Sequence, residues 1–246
     1  MIVHVLNGDA LLEQFPEAIA GIRIICRECL IEGPVKAESS LEFYQIRKSY
    51  LSNRFPEASL DYEQDIKAEF DKLVKLDKAT ELNLWFEDDL FCQANFWYTI
   101  SVLANHIDTA NIVRPHTKLR YGFGSCSKEM ILDCYNKRQK LSTDEFRLLN
   151  ELWSAYAAQN SKALNQLKKR VPNHLQFLLP AIDATIDHHI AGPESVVLQT
   201  LKQIMEDKSS TELKDVYPEF ADKLAIYGFG DLQVLRLIED LGEQTA

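Results

Sequence analysis

The feature that most constrains the fold is an alternation, in the first half of the chain, of short apolar runs with longer segments of helical periodicity. The short runs have the length of strands, and the first of them is rich in β-branched residues; they lie at 2–6, 22–26, 81–86 and 111–114. Strands that alternate with helices predict a parallel sheet with right-handed crossovers. From about Ser125 onward the pattern is helical.

We therefore predict an α/β fold in two parts. Residues 1–122 are expected to form a small, mostly parallel, Rossmann-like sheet domain with helices on both faces, and residues 123–246 an all-helical domain. Four strands make a small sheet, and a segment such as 119–123 is a candidate for a further strand.

Helix boundaries follow from local signals. Ser39 with Glu42, and Ser142 with Glu145, are capping boxes that predict two helix starts. A helix is also expected over residues 10–20, and another over 61–74, where apolar residues recur at helical spacing. In the tail we expect separate short helices at 210–216 and 219–225, followed by one at 231–241.

Charge and cysteine content limit the partners and the compartment. The 246 residues include 37 acidic and 27 basic ones, a net charge of −10, and an acidic surface makes nucleic acid an unlikely partner. The N-terminus has no secretory leader and no segment suits a membrane span, so we expect a cytoplasmic protein. The five cysteines are then expected to be reduced, and the pair Cys26 and Cys29 to carry no metal.

Polar residues gather at the ends of the predicted strands, which is where open parallel sheets bind ligands. Asn7, Gly8 and Asp9 follow the first strand, Arg27 and Glu28 the second, Glu87, Asp88 and Asp89 the third, and Arg114 and His116 the fourth. If the sheet is parallel, these groups share one edge. Its carboxylates could bind Mg²⁺, and its arginines a phosphate or carboxylate.

A purely structural role for these residues is the alternative. Asp9 and either Asp88 or Asp89 stand where helix N-caps belong, and Arg27 and Glu28 could pair with neighbours. Capping explains one acidic residue for each helix, but it does not explain three consecutive acids, which repel one another unless a cation or an arginine is near.

Other motifs are absent or weak. The chain has no G-x-G-x-x-G after its first strand, no P-loop and no G-x-S-x-G elbow. The tetrapeptide Tyr-Gly-Phe-Gly occurs twice, at 121–124 and 227–230, followed by Ser125 and Asp231. We interpret the two copies as glycine turns that end in helix N-caps.

Three motifs in order resemble an uncharacterised bacterial family, domain of unknown function 1835, over about residues 1–120. They are His4-x-x-Asn7-Gly8-Asp9, then Cys26-Arg27-Glu28 with Glu32-Gly33-Pro34, then the segment 85–93, Trp-Phe-Glu-Asp-Asp-Leu-Phe-Cys-Gln. The resemblance implies a winged-helix-like C-terminal region whose last helix opens at Gly230-Asp231. Asp88 stands where the family has a histidine, so any acid–base work at that position would shift to lower pH or be lost.

Two functions are compatible with these observations. The first is binding of a phosphate- or nucleotide-type small ligand at the strand ends by Asn7, Asp9, Arg27, Glu28, Glu87, Asp88 and Asp89, with Mg²⁺-assisted phosphoester chemistry as one form of it. The second is a non-enzymatic regulatory or interaction module that contacts a protein partner through its helical half. The resemblance transfers no activity, and the catalytic residues are left open.

Overall fold

The computed structural model describes residues 1–58, 61–115, 122–191 and 195–243 of the chain. It has a five-stranded, mostly parallel sheet in its first half followed by helices, which confirms the predicted α/β fold. His116, and residues 119–121 of the suggested extra strand, lie outside the described residues. No helix in the described parts of the chain is long and apolar enough to span a bilayer.

The sheet has the strand order β2-β1-β3-β4-β5. Its first four strands are parallel, whereas β5 runs antiparallel to β4. The strands are β1 (Ile2–Asn7), β2 (Ile22–Cys26), β3 (Glu81–Trp85), β4 (Asn111–Val113) and β5 (Gln139–Lys140). The sequence did not predict β5, because two exposed polar residues carry no strand pattern. It pairs with β4 from beyond the expected domain boundary at residue 122.

Helices connect the strands and form the second half. In the described first half they are α1 (Asp9–Gln14), α2 (Ser40–Arg54), a π-helix (Tyr62–Lys67) that continues into α3 (Ala68–Leu73), and α4 (Leu90–Leu103). The described second half contains α5 (Lys128–Asn136), α6 (Thr143–Ala157), α7 (Ser161–Lys168), α8 (Leu178–Ala191), α9 (Val196–Lys208), α10 (Leu213–Lys223) and α11 (Asp231–Glu243), with 3-10 turns at Asn173–Leu175 and Ala225–Tyr227.

Two helix boundaries differ from expectation. Helix α1 ends at Gln14 instead of residue 20, because Phe15 precedes Pro16 and takes extended backbone, as residues before proline do. In the tail, the two short helices expected at 210–216 and 219–225 are one helix, α10, which continues through Pro218. Proline lacks an N–H, but the apolar face that includes Val216 and Phe220 is buried and holds the helix together.

Both faces of the sheet are covered. Alternate strand residues such as Val3 and Val5 point to one face, where α2, α3, α4 and the helical half share a single buried cluster that extends to Leu241 in α11. Leu6 and Trp85 point to the other face and pack with residues of α1 and α5. The predicted arrangement of helices on both faces is therefore confirmed.

Helix α4 lies between the sheet and the second half of the chain. Eleven of its fourteen residues are buried and none is exposed, as expected for a helix that is enclosed on all sides. It contacts α6 and α8 as well as α3. Its N-terminus therefore has a fixed position at the carboxyl edge of the sheet, beside the 3-10 turn that precedes α11.

Candidate functional site

The strand order creates a crevice between β1 and β3. The chain passes from β1 to β2 on one side and then crosses to β3 on the other side of β1. At such a reversal the connections leave in opposite directions, and open α/β sheets bind ligands in the crevice that results. Asn7 ends β1, and Glu87 follows β3 by two residues, so both stand at this reversal.

Asp89 is the N-cap of α4. Its Oδ1 accepts a hydrogen bond from the Cys92 amide at 2.9 Å, and only 4% of the residue is exposed. This confirms one of the two positions at which the sequence predicted a cap. Asp9 is not a cap, because Gly8 precedes α1 with φ of 87° and no side chain bonds the first turn.

Glu87 is held by three neighbours. The Phe123 amide donates to Oε1, the Cys92 thiol lies 3.6 Å from Oε2, and the Gln93 amide donates to the backbone carbonyl at 2.6 Å. The first two contacts fix the direction of the carboxyl group, and the third fixes the backbone. They also connect β3 to α4 and to the loop before α5.

Burial changes the acidity of both carboxyl groups. It raises the pKa of Glu87 to about 7, with a further contribution from the negative charge of Asp89. It also raises the pKa of Asp89 to about 6, against the effect of the Cys92 hydrogen bonds. Glu87 can therefore release or accept a proton close to neutral pH, which is the property that a general acid or base needs.

Asn7 is positioned by a chain of hydrogen bonds. The Asn95 amide, on α4, donates to Asn7 Oδ1 at 2.9 Å, and Asn7 Nδ2 donates to Cys92 Sγ at 2.9 Å. Asn95 also donates to the Glu28 carbonyl at 2.7 Å. Burial raises the pKa of the Cys92 thiol well above its usual value, so it stays protonated and can donate to Glu87.

The two Gly-Phe-Gly segments of the repeated tetrapeptide, at 122–124 and 228–230, lie against these carboxyl groups. A β-carbon on Gly122 would lie 2.7 Å from Glu87 Oε1, and one on Gly228 would lie 2.7 Å from Asp89 Cγ. Gly228 also has φ of 70°, which disfavours any side chain. The two segments therefore do more than form turns, because the glycine backbone of each is in close contact with one of the two carboxyl groups. The helix after the first copy begins at Lys128, capped by Ser127 instead of Ser125.

A cavity of about 480 Å³ opens beside the acidic pair. Its residues come from the end of β1, α1, the segment after β3, the start of α4, both glycine loops and the region from α10 to the following 3-10 turn. They include Asn7, Gln14, Glu87, Asp89, Phe91, Cys92, Phe123, Ser125, Tyr217, Phe220, Gly228, Phe229 and Gly230. The volume suits a small molecule. Among the described lining residues the charged ones are Glu87 and Asp89, so the cavity offers negative charge and aromatic surface.

The remaining predicted residues lie outside this cavity. Arg27 binds Asp9 through Nε and Nη2 at 2.8 and 2.7 Å, and this pair lies at the end of β2. The guanidinium of Arg27 holds the pKa of Asp9 below its usual value. Asp88 pairs with Arg114, and so joins the end of β3 to the end of β4.

Glu28 is fully buried in a network of its own. It accepts hydrogen bonds from Arg47 Nε and Nη2 at 3.2 and 3.0 Å, and from the Tyr62 hydroxyl at 2.6 Å. Arg47 also donates to the carbonyls of Cys29 and Glu32. This network fixes the segment after β2 against α2 and the π-helix, so Glu28 stabilises the fold.

Sequence reasoning missed several residues of the site. Cys92, Asn95 and Phe123 position the predicted ones, and Gly122 and Gly228 border the carboxyl groups. The repeated tetrapeptide was the available signal, but nothing local to either copy indicates that the two meet across the cavity.

One atom from each of Glu87, Asp89 and Cys92 could coordinate a metal ion, since these three atoms lie within 4.8 Å of one another. The donor set is two carboxylates and a thiol. Mg²⁺ prefers oxygen ligands alone, whereas Zn²⁺ accepts carboxylate and thiolate together. The residues therefore fit Zn²⁺ better than the Mg²⁺ that the sequence suggested.

Comparison of the chain with models of protein families, with curated proteins and with solved structures found no match.

Proposed function

We propose that the chain binds a small molecule in the cavity at the β1–β3 crevice, with Glu87 and Asp89 as the groups that contact it. The observation that carries the proposal is the meeting of a buried carboxyl group, Asp89, and a half-buried one, Glu87, with a ligand-sized cavity at the reversal of the strand order. Partial removal of a carboxyl pair from solvent costs free energy, and a ligand that bonds to the pair would offset part of that cost.

The charge of the cavity indicates the class of ligand. A phosphate group needs cationic or N–H donors, and the described lining residues include no lysine or arginine. A ligand with a cationic nitrogen or with N–H or O–H donors is favoured instead, and the aromatic residues Phe91, Phe123 and Phe229 suit an apolar body. This modifies the expectation of a phosphate- or nucleotide-type ligand.

Glu87 would supply any acid–base chemistry. It borders the cavity, its carboxyl group is oriented by the Phe123 amide and the Cys92 thiol, and its proton exchanges near neutral pH. In an enzyme it would transfer a proton to or from the bound molecule. In a regulatory protein the same site would bind the molecule and leave it unchanged. Recovery of the ligand after incubation, analysed by mass spectrometry, separates these two functions.

The binding proposal is tested with benzylamine, benzyl alcohol and phenyl phosphate as probes in ligand-observed NMR. We expect benzylamine to bind most tightly, and Glu87→Gln to weaken it about tenfold by removing the charge that the cation faces. Asp88→Asn is the matched control, because Asp88 is adjacent in sequence but pairs with Arg114. Failure of all three probes to bind, or equal weakening by Asp88→Asn, would contradict the proposal.

A second candidate function is metal binding by Glu87, Asp89 and Cys92, which the proximity of their ligand atoms favours. A metal ion there would supply the positive charge that a phosphate ligand needs. Calorimetric titration with Zn²⁺ and Mg²⁺ tests it. Stoichiometric Zn²⁺ binding that is lost in Cys92→Ser and kept in Asp88→Asn supports this candidate, and phenyl phosphate should then bind only with the metal present.

The family, the origin and the cellular location of the protein stay predictions. The resemblance to domain of unknown function 1835, the Rossmann-like and winged-helix-like descriptions, the bacterial origin and the cytoplasmic location are all consistent with a small-ligand protein. A protein partner for the helical half also stays a prediction.

A further inference from the structure

A second cavity, of about 420 Å³, adjoins the first at Gly230, which lines both. Its walls come from the end of β2, the end of α2, the π-helix and the start of α11. Most of the lining is apolar and includes Leu51, Phe55, Pro56, Ile66 and Leu232. The proposed function above uses none of these residues.

Polar contacts around the cavity hold α11 in place, and the first residues of this helix line the cavity. Arg54 binds Asp240 at 2.9 and 2.6 Å, and Arg236 binds Glu57 at 2.6 Å. Near the start of the helix, the Gln233 amide donates to Glu32 at 2.7 Å. These contacts fix the helix, and among the described residues the apolar walls of the cavity enclose about 420 Å³ of space that a ligand can occupy.

The charges of the lining favour a neutral ligand. Arg27 and Asp231 are its charged residues among those described, and they have opposite signs. Arg27 is already paired with Asp9. An anion would therefore meet Asp231 and would find no unpaired cation in the described lining. A cation would meet Arg27, and Asp231 is exposed, so water screens its attraction for a cation.

Arg27 nevertheless offers hydrogen-bond donors. A guanidinium has five N–H groups, and three bonds are made to described residues, two to Asp9 and one to the Asp65 carbonyl at 2.9 Å. The remaining donors suit a carbonyl oxygen of a neutral ligand. The side chain is 21% exposed, so a ligand can reach it.

The π-helix gives an independent indication of function. π-helical turns are rare and occur frequently at functional sites. Tyr62 and Ile66, both on this turn, line the cavity, and the Tyr62 hydroxyl is bonded to Glu28. The same turn presents the Asp65 carbonyl to Arg27.

We infer that this second cavity binds a neutral, mainly apolar small molecule that places a carbonyl oxygen against Arg27. The volume of the cavity is within the range of small-molecule sites. The lining residues that follow β2 lie at the same carboxyl edge of the sheet as the first cavity.

Titration of the full chain with 1-acetylnaphthalene tests the inference, with 1-naphthoate and 1-naphthylmethylammonium as charged probes of the same shape. We expect the neutral ketone to bind most tightly. Leu232→Glu, which puts a charge into the apolar wall, should weaken it about tenfold. Leu41→Glu is the matched control, because Leu41 is an exposed helical leucine that does not line the cavity.

Two further variants separate this cavity from the first. Arg27→Met should weaken the ketone several-fold by removing its donor, whereas Glu87→Gln should leave its affinity unchanged. Absence of ketone binding, tighter binding of either charged probe, or equal affinity in Leu232→Glu overturns the inference. Loss of affinity in Glu87→Gln also overturns it, because the ketone would then lie in the first cavity. The benzylamine experiment tests the first cavity independently.

Discussion

Gly122 and Glu87 are in direct contact, so closely that a β-carbon on Gly122 would lie 2.7 Å from Oε1 of Glu87. The same carboxyl oxygen accepts a hydrogen bond from the amide of Phe123, the next residue in the loop. The loop therefore holds Glu87 both by a hydrogen bond and by close approach of its backbone, and the second requires glycine.

Gly122→Ala should destabilise the protein by about 1–3 kcal/mol, because the added methyl group displaces either the Glu87 carboxyl group or the loop. Gly124→Ala is the control in the same loop, since a β-carbon there meets no atom within 4 Å. Urea unfolding of the two variants measures the difference. Equal stabilities would show that Glu87 moves aside without cost.

Gly228→Ala should cost more than its backbone conformation alone requires. Gly228 is in the left-handed region, with φ of 70° and ψ of 21°, and an added β-carbon would also contact the Asp89 side chain. We expect about 1 kcal/mol from backbone strain and at least about 1 kcal/mol more from this contact. Gly8→Ala tests strain without a contact, and it should cost about 1–3 kcal/mol because φ of 87° with ψ of 170° is a region nearly confined to glycine. Thermal unfolding measures both, and a cost of about 1 kcal/mol or less for Gly228→Ala would contradict the steric contribution of Asp89.

Glu87 should make the protein less stable as pH rises. Its pKa is about 7 in the folded chain against an ordinary 4.5, so the folded state binds this proton more tightly than the unfolded state. The protonated Glu87 carboxyl group therefore contributes its full stabilisation below pH 4.5, and this contribution is lost as pH rises toward 7. Glu87→Gln removes this dependence. Between pH 5 and pH 8, the free energy of unfolding of the wild type should therefore fall by about 2 kcal/mol relative to that of Glu87→Gln. A constant difference between the two proteins would contradict the raised pKa.

His4 should act in the opposite direction. Its Nδ1 accepts a hydrogen bond from Trp85 Nε1 at 3.1 Å, its Nε2 is 3.2 Å from the Ala20 carbonyl, and burial lowers its pKa below 6.5. As pH falls, the unfolded chain therefore takes up a proton at His4 before the folded chain does. The contribution of His4 to stability is complete above pH 6.5 and decreases below it. His4→Asn should show a smaller fall between pH 7 and 5 in denaturant titrations. An equal fall would assign the acid sensitivity to other groups.

Arg47 and Arg27 both pair with an acid near the end of β2, but the pairs differ in burial. The side chains of Arg47 and Glu28 are 0% exposed, whereas those of Arg27 and Asp9 are 21% and 53% exposed. Arg47→Met leaves Glu28 buried without its cation and should cost about 3–5 kcal/mol. Arg27→Met should cost about 1 kcal/mol or less, because water solvates Asp9. Chemical denaturation tests this, and similar costs would show that Glu28 reaches solvent or another cation.

Local patterns in the sequence were sufficient for most elements of the fold. The apolar runs predicted β1 to β4, and a cap was predicted at Asp88 or Asp89, because strand formation and capping depend on residues within a few positions of one another. Pro16 was an equally local signal, and it accounts for the early end of α1. The two residues of β5 had no such pattern.

The composition of the site was decided by the tertiary structure. Sequence reasoning placed Asn7, Arg27 and Glu87 at one edge of a sheet, but the strand order puts β1 beside β3, so that Asn7 and Glu87 share a cavity while Arg27 borders another. Strand order depends on how crossovers pack, which no short segment encodes. For the same reason, the meeting of Gly122 and Gly228 with Glu87 and Asp89 required the folded chain: residues far apart in sequence become neighbours only through packing of the helical half on the sheet.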